Sequence, residues 1–334
     1  MIRVAFLGFG TVARALTQLL AARREALARD YNISFTITGV STRRGGWWAN
    51  ANGLDPHVPT GTRCQDMREW LAIGTPDVVF EATALEPDTG QPALNFLKQI
   101  LESGAHAISA NKGPVVHGYA ELQRIAARVG RTYRFESAVM DGAPVFSLVR
   151  ECLPLARLSA VRGVFTSTAT VVLEAIETGL TLADGIARAQ QLGIAEADPS
   201  YDIDGWDSAV KLCALANVLL GGDLRPGQID RTGIRGLRDD DIREACAVGW
   251  PIRLVGDLRR DTAGVLRGSV RPERCRLGDP LAVTGTTLVT HLEADVFPGG
   301  LTVTSRDPDP TTTAYGLLAD FVNACGVQTL AANS

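Results

Sequence analysis

The sequence predicts an α/β protein with two domains: a doubly wound parallel sheet, followed by a second α+β domain. Apolar strands alternate with helical segments from the N-terminus to about residue 140, which is typical of a doubly wound sheet. The pattern then changes to several helices and to segments that alternate like strands of an antiparallel or mixed sheet. A length of 334 residues also suggests two domains. We expect boundaries at 1–140 and 141–304, with the first domain completed by a C-terminal helix in about 305–334.

Composition disfavours several classes of protein. Hydrophobic residues make up 46% and charged residues 21% of the chain, and the net charge is −4, so no nucleic-acid partner is expected. No uninterrupted apolar run reaches about 18 residues, and the start of the chain lacks a signal-peptide layout, so no membrane association is expected. The six cysteines are dispersed without CxxC spacing, which indicates free thiols in a reducing cytoplasm.

A glycine-rich turn separates the first strand from the first helix. The apolar strand Arg3–Leu7 is followed by Gly-Phe-Gly-Thr-Val-Ala and by a helical segment without breakers. Strand, GxGxxA and helix form the context of a dinucleotide fingerprint, in which the pyrophosphate lies on the helix N-terminus. Against a turn that merely packs, this context favours a dinucleotide cofactor bound by Gly8, Gly10, Thr11 and Val12.

The end of the second strand predicts which dinucleotide is bound. The strand at residues 34–40 is followed by Ser41-Thr42-Arg43-Arg44. An NAD site would place an acid near position 41 to bond the ribose hydroxyls, whereas guanidinium groups match a phosphate. We therefore expect a 2′-phosphate pocket at Ser41, Arg43 and Arg44 and a preference for NADP over NAD; the alternative is two solvated arginines. For Trp47 and Trp48, packing is favoured over shielding of the adenine.

The alternation continues to the end of the first domain. We predict strands at residues 77–83, 106–110 and 133–139 and helices at 92–103 and near 119–129. Ligands of such sheets lie at the carboxyl ends of the strands. Asn111, Lys112 and Glu136 fall at these ends, so we expect Lys112 to point towards the nicotinamide.

The second domain follows a hinge near residue 141. We predict helices at residues 143–151, 171–178 and 182–192, and strands at 159–165, 252–258, 265–270 and 288–294. A hydroxyl-rich loop is expected at 166–170, a turn at 298–300 and an amphipathic last helix at about 312–325.

The most informative stretch is Glu196–Lys211. Five carboxylates precede a single lysine that enters an apolar helix. Asp207 and Lys211 are four residues apart and so share one helical face in the favoured order. A lysine on such a helix must pair, snorkel or lose its charge. A structural ion pair at a helix start is the alternative to a catalytic one.

Together these segments resemble homoserine dehydrogenase, over nearly the whole chain. The resemblance rests on Gly8–Val12, Ala110–Pro114, Glu136–Val139 and above all residues 189–211. It implies a Rossmann-type domain and a homodimer that interconverts L-aspartate 4-semialdehyde and L-homoserine with NAD(P)H, in threonine and methionine biosynthesis. The length is similar to the short form of the enzyme, without an ACT or aspartate kinase domain.

The resemblance also implies roles for individual residues. Lys211, with its partner Asp207, and Lys112 are expected near the reacting oxygen, where hydride delivery to an aldehyde builds charge. The amino-acid ammonium and hydroxyl would be held by carboxylates with a hydroxyl nearby, namely Glu196, Asp202, Asp207 and Thr168. A monovalent cation such as sodium would be bound by Glu136 and Val139 through oxygen atoms.

Two segments depart from the family pattern and leave alternatives open. The family's Asn-Gly-Thr-Thr-Asn is replaced by Thr-Ser-Thr-Ala-Thr at 166–170, and its glycine-rich loop before the last helix is the proline-containing segment 305–311. These departures allow a dehydrogenase for a related amino-acid aldehyde or alcohol, or a non-catalytic NADP-binding protein. Retention of both lysines and of the acidic residues favours homoserine dehydrogenase.

Overall fold

The computed structural model describes residues 1–326. They form two compact units: unit 1 contains Met1–Gly142 and the residues from Asp309, and unit 2 contains Ala143–Pro308. None of the helices in this described part of the chain is both long and apolar enough to cross a membrane.

Unit 1 is built on a seven-stranded sheet with the order β4-β3-β2-β1-β5-β6-β7. Its strands are β1 (Ile2–Leu7), β2 (Phe35–Thr42), β3 (Gly46–Ala49), β4 (Thr62–Cys64), β5 (Val78–Glu81), β6 (His106–Ser109) and β7 (Tyr133–Arg134). The neighbouring strands β2, β1, β5, β6 and β7 pair in parallel, whereas β3 and β4 add an antiparallel edge next to β2. The predicted doubly wound parallel sheet is therefore confirmed, with an antiparallel extension that the sequence pattern did not predict.

The helices of unit 1 connect these strands. They are α1 (Thr11–Ala22), α2 (Arg24–Tyr31), α3 (Met67–Gly74), α4 (Ala93–Glu102) and α5 (Lys112–Val129). α5 begins seven residues before the predicted position near 119, because the Asn111 side chain caps it by accepting from the Gly113 N–H at 3.0 Å. Pro114 lies in its first turn, where a missing N–H costs nothing.

The predicted strand at 133–139 is mostly wrong. Only β7, of two residues, is extended, and Glu136–Ala138 forms a 3₁₀ helix.

Trp47 of β3 packs edge-on against Trp70, with ring centroids 5.4 Å apart, and against Phe96 at 5.7 Å. The Trp48 indole N–H donates to the Gly45 carbonyl at 2.9 Å. Both tryptophans therefore take part in packing and in closing the turn after β2.

Unit 2 contains a mixed six-stranded sheet with the order β13-β12-β8-β10-β11-β9. The strands are β8 (Leu158–Val164), β9 (Asp230–Arg231), β10 (Ile252–Arg260), β11 (Leu266–Arg274), β12 (Leu288–Ala294) and β13 (Phe297–Ser305). Only the β9–β11 pair among these is parallel. The helices are α6 (Ser167–Glu177), α7 (Leu182–Gln191), α8 (Ser200–Ile203), α9 (Trp206–Leu219) and α10 (Asp239–Ala247); α11 (Pro310–Cys325) returns to unit 1.

Three local predictions for unit 2 differ from the structure. Residues 298–300 lie inside β13, and the turn is at residues 295–296; a proline is tolerated because β13 is an edge strand. The helix predicted at 143–151 begins at Phe146 and continues as a π-helix at Leu148–Cys152. Residues 166–170 are not a loop, since Thr166 is the N-cap of α6 and Ser167 its first residue. A serine at this position opposes helix formation less than the family's glycine would.

Candidate active site

The turn after β1 is held by backbone contacts. Gly8 has φ +87°, and a Cβ there would lie 2.5 Å from the Ala82 carbonyl oxygen. Its N–H donates to the Ser41 carbonyl at 2.9 Å. Only glycine fits here, because another residue would be strained at this positive φ and its Cβ would clash with the Ala82 carbonyl oxygen. The turn is thereby fixed against the ends of β2 and β5.

The next positions are open for a ligand. Gly10 is exposed and is the N-cap of α1, and apart from Gly10 itself and its two chain neighbours no atom of the described residues lies within 4 Å of where its Cβ would be. Thr11 is exposed and Val12 half-buried. The first N–H groups of a helix have no intrahelical partners and favour a negative charge. This end of α1 therefore fits the pyrophosphate of a dinucleotide.

The predicted 2′-phosphate pocket lies at the turn between β2 and β3. Ser41 is buried, whereas Arg43 and Arg44 are both exposed. The turn is closed by the Gly45 N–H, which donates to the Thr42 Oγ1 at 2.7 Å. Two guanidinium groups thus stand beside the carboxyl end of β2, where the adenosine ribose of a dinucleotide lies in this fold class.

Asn111 and Lys112 lie at the start of α5, where Asn111 contacts the buried carboxylate of Glu81. Lys112 is half-buried, and Asn111 is buried and donates from Nδ2 to Glu81 Oε1 at 3.4 Å. Glu81 is fully buried at the end of β5 and also accepts from the Ser109 hydroxyl at 2.5 Å and the Thr83 N–H at 2.9 Å. Burial raises the pKa of the Glu81 carboxyl despite these donors. Glu81 was not among the residues selected from the sequence, although an acid that ends an apolar strand was the available signal.

Glu136 and Val139 are both buried in unit 1. The Glu136 N–H donates to Asp320 Oδ2 of α11 at 2.7 Å. Within residues 1–326, no group of three or more His, Cys, Asp and Glu side chains is arranged to hold a metal ion. A site for a monovalent cation would depend on the Glu136 carboxylate and on backbone carbonyls, and it stays a prediction.

In unit 2, Lys211 lies on the buried face of α9. Its Nζ is 3.0 Å from Asp207 Oδ2 and donates to the Phe165 carbonyl at 2.6 Å. The side chains of Lys211 and Asp207 are 10% and 11% exposed. Phe165 follows β8, so the ammonium is held between the carboxylate of α9 and the end of a central strand. Of the outcomes open to such a lysine, the structure shows pairing.

A second contact joins Thr168 and Asp202. The Thr168 hydroxyl, on α6, is 2.9 Å from Asp202 Oδ2 on α8 and 3.1 Å from the Ile194 carbonyl. Glu196 is exposed, and its backbone carbonyl accepts from Gln190 Nε2 at 3.1 Å. The structure therefore brings Thr168 together with Asp202 and Lys211 with Asp207, whereas Glu196 lies on the surface of the same segment.

Comparison with known proteins identifies the family. The model of the homoserine dehydrogenase family matches residues 144–322, and that of the homoserine dehydrogenase NAD-binding domain matches residues 8–136. The chain belongs to the homoserine dehydrogenase family.

Individual members support this assignment. An NAD(+)-dependent homoserine dehydrogenase of Pseudomonas canavaninivorans is 32% identical over 96% of this chain and 95% of its own length. A homoserine dehydrogenase structure from Thiobacillus denitrificans is 28% identical, covers 97% of this chain and 73% of that one, and has a TM-score of 0.82. A hyperthermophilic archaeal homoserine dehydrogenase in complex with NADPH is 25% identical, covers 97% of both chains, and has a TM-score of 0.81.

These findings confirm the homoserine dehydrogenase assignment drawn from the sequence. The chain is an oxidoreductase of the homoserine dehydrogenase type that uses a nicotinamide cofactor. They support neither the alternative of a related amino-acid substrate nor that of a non-catalytic binding protein.

Proposed function

We propose that the chain interconverts L-homoserine and L-aspartate 4-semialdehyde, with NADP as its preferred cofactor. The observation that carries this proposal is the buried pair of Lys211 and Asp207, 3.0 Å apart. A dinucleotide held by its pyrophosphate at the N-terminus of α1 would supply or accept the hydride through its nicotinamide. The residues of the chain then have to bind the amino acid and move one proton at its oxygen.

Lys211 is the proposed group for this proton. When the aldehyde is reduced, charge grows on its oxygen, and an ammonium nearby stabilises that charge and donates a proton. Asp207 and the Phe165 carbonyl fix the Nζ position, so little reorganisation is needed during the reaction. Lys112, at the start of α5 in unit 1, is the second cation that we assign to the reacting oxygen.

The acidic segment supplies the charge that the substrate requires. The ammonium group of homoserine needs carboxylates, and we assign this role to Asp202, Glu196 and Asp207. Thr168 supports the assignment, because its hydroxyl contacts Asp202 at 2.9 Å and would orient that carboxylate.

NADP preference rests on the turn after β2. Both nicotinamide cofactors appear among similar proteins, since one relative is named as NAD(+)-dependent and one solved structure holds NADPH. In this chain Ser41 replaces the acid that would bond the ribose hydroxyls, and Arg43 and Arg44 are exposed beside it. Guanidinium groups at this place favour a 2′-phosphate, with NAD as the alternative cofactor.

Further proposals follow from family membership. We assign cofactor binding to unit 1, and substrate binding and the contacts of a homodimer to unit 2. A cytoplasmic enzyme of threonine and methionine biosynthesis is consistent with the free cysteines, three of which are buried. The monovalent cation would be held by Glu136 and Val139.

An absorbance assay tests the proposed function. Purified protein is given L-homoserine with NADP or with NAD, and cofactor reduction is followed. We expect reduction with both and a higher kcat/KM with NADP. Absence of reduction with either cofactor, in a sample that binds NADPH, would contradict the proposed activity, and a higher kcat/KM with NAD would contradict the arginine assignment alone.

A further inference from the structure

The acidic segment contains a carboxylate that the proposed function does not use. Asp204 lies two residues after Asp202, at the end of the four-residue helix α8. The two side chains have different partners. Asp202 is contacted by Thr168 of α6, whereas Asp204 is contacted by Arg235. The short helix is therefore held on two sides by two acids.

Arg235 binds Asp204 with both arms of its guanidinium. Its Nε is 3.0 Å from Asp204 Oδ1 and its Nη2 is 3.2 Å from Oδ2. The same Nη2 donates to the Ser200 hydroxyl at 3.0 Å. Ser200 begins α8, so one arginine links the first residue of the helix to the residue after its end. A planar fork suits this geometry, whereas a lysine ammonium would not.

The segment 231–235, which carries this arginine, packs against α8 through its backbone as well. The Ile234 N–H donates to the Ile203 carbonyl at 2.8 Å. A Cβ on Gly233 would lie 2.5 Å from that same carbonyl oxygen and from the Asp204 Cα. The Arg231 guanidinium donates to the Asp204 carbonyl and lies 3.7 Å from the centre of the Trp206 ring. The segment thus follows the chain from Ser200 to Trp206.

We propose that Arg235 and Asp204 form a positioning pair for the amino-acid substrate, which keeps the Asp202 carboxylate in place beside Thr168. This proposal rests on the proposed function, in which Asp202 binds the substrate ammonium. Both side chains are partly exposed, at 50% for Arg235 and 33% for Asp204. An ion pair of this kind adds little to global stability, so its effect falls on the local placement of α8.

Steady-state kinetics of the full-length protein test the pair. For Arg235→Ala we expect the KM for L-homoserine to rise about fivefold, and kcat and the cofactor KM to stay within about twofold of the unmodified protein. Arg235→Lys should give a smaller rise, because it keeps the charge and loses the fork. The exchanged variant Asp204→Arg with Arg235→Asp should recover most of the loss.

Salt and a neighbouring arginine provide controls. The difference in homoserine KM between the unmodified protein and Arg235→Ala should shrink at about 1 M salt, where exposed charges are screened. Arg238→Ala removes an exposed ion pair with Asp241, 3.0 Å long, in the same part of unit 2, and should leave all kinetic constants unchanged. An unchanged homoserine KM in Arg235→Ala, or an equal rise in the homoserine and cofactor KM values, would overturn the proposal.

Hydrogen exchange separates this proposal from the proposed function. If the unmodified protein does not oxidise homoserine, the proposed function fails, and the amide exchange of residues 200–205 still decides whether Arg235 holds α8. We expect these amides to exchange faster in Arg235→Ala while those of α6 do not. If Arg235→Ala changed the exchange rates of residues 200–205 and of α6 equally, the positioning role would be contradicted.

Discussion

The cofactor turn of unit 1 and the acidic segment of unit 2 differ in how far side chains hold them. The turn after β1 is fixed by main-chain contacts: Gly8 packs against the Ala82 carbonyl, and the Gly8 N–H donates to the Ser41 carbonyl. The acidic segment has backbone contacts at α8 but depends also on side-chain pairs: Asp207 pairs with Lys211, and Asp202 contacts Thr168. A main-chain site is sensitive to any added atom, whereas a side-chain site is sensitive to the loss of a partner.

This difference explains how the two sites appear in the sequence. The turn is recognisable because its glycines occur at fixed spacing within one short stretch. The acidic segment is recognisable only by its accumulation of charge, since its partners come from other elements, such as Phe165 and Thr168. Substitutions can test whether each site depends on the contacts that hold it.

The largest effect is expected from Gly8→Ala. The positive φ and the contact with the Ala82 carbonyl oxygen at 2.5 Å together cost about 3 kcal/mol of unfolding free energy, and cofactor binding should be lost. Gly10→Ala is the matched control, because beyond its two chain neighbours the Cβ would meet no atom of the described residues within 4 Å. That variant should keep its stability to within about 0.5 kcal/mol and lose only cofactor affinity. Thermal unfolding measures the stability of the two variants, and cofactor titration measures their affinity. Equal stability losses in Gly8→Ala and Gly10→Ala would contradict the main-chain explanation.

Asp207→Ala tests the side-chain explanation in unit 2. Removing one member of a buried pair leaves the Lys211 charge uncompensated, which costs about 3 kcal/mol. Asp207→Asn keeps an acceptor and should cost less. The control is Asp241→Ala, whose partner Arg238 is 77% exposed, and its cost should stay below about 1 kcal/mol. Chemical denaturation compares the unfolding free energies of the three variants. A cost for Asp207→Ala as small as that of Asp241→Ala would show that Asp207 and Lys211 are not structurally coupled.

Glu81→Gln should change the pH dependence of stability. The pKa of Glu81 is raised by burial, so the folded state binds its proton more tightly than the unfolded state does. The stability due to this proton is fully present below the pKa of Glu81 in the unfolded state, and it is lost as pH rises through the pKa in the folded state. Melting temperatures from about pH 4 to about pH 8 should therefore show the unmodified protein losing stability relative to Glu81→Gln, whose side chain does not titrate. A constant difference would contradict the raised pKa.

The smallest effect on stability is expected from Arg43→Ala combined with Arg44→Ala. Both residues are exposed, so stability should not change, while the KM for NADP should rise about tenfold, as for the loss of one charged hydrogen-bonded contact. The KM for NAD should change little. Equal changes for the two cofactors would refute the assignment of a 2′-phosphate pocket.

The sequence was sufficient for the features that depend on local pattern. Alternating strands and helices predicted the parallel sheet of unit 1, and the spacing of Asp207 and Lys211 predicted a pair that the structure shows at 3.0 Å. The start of α5 was misplaced because a single capping side chain, Asn111, outweighs the weaker helix signals that follow it.

Features that depend on distant contacts could not be predicted. Arg235 is 31 residues from Asp204, and Ser109 is 28 residues from Glu81. No periodicity in the sequence links such positions, because the fold brings them together. Thr168 contacts Asp202, 34 residues away; the resemblance to a family implied only that Thr168 lies near the acidic residues.

The most direct test of the proton-transfer role is the variant Lys211→Ala. Turnover of L-homoserine and the dissociation constant for NADPH are measured in the same preparation. We expect turnover to fall by at least about a hundredfold, as for loss of a proton-transferring group, while the dissociation constant stays nearly unchanged. Retained turnover would show that another group transfers the proton and would contradict the role of the Lys211–Asp207 pair.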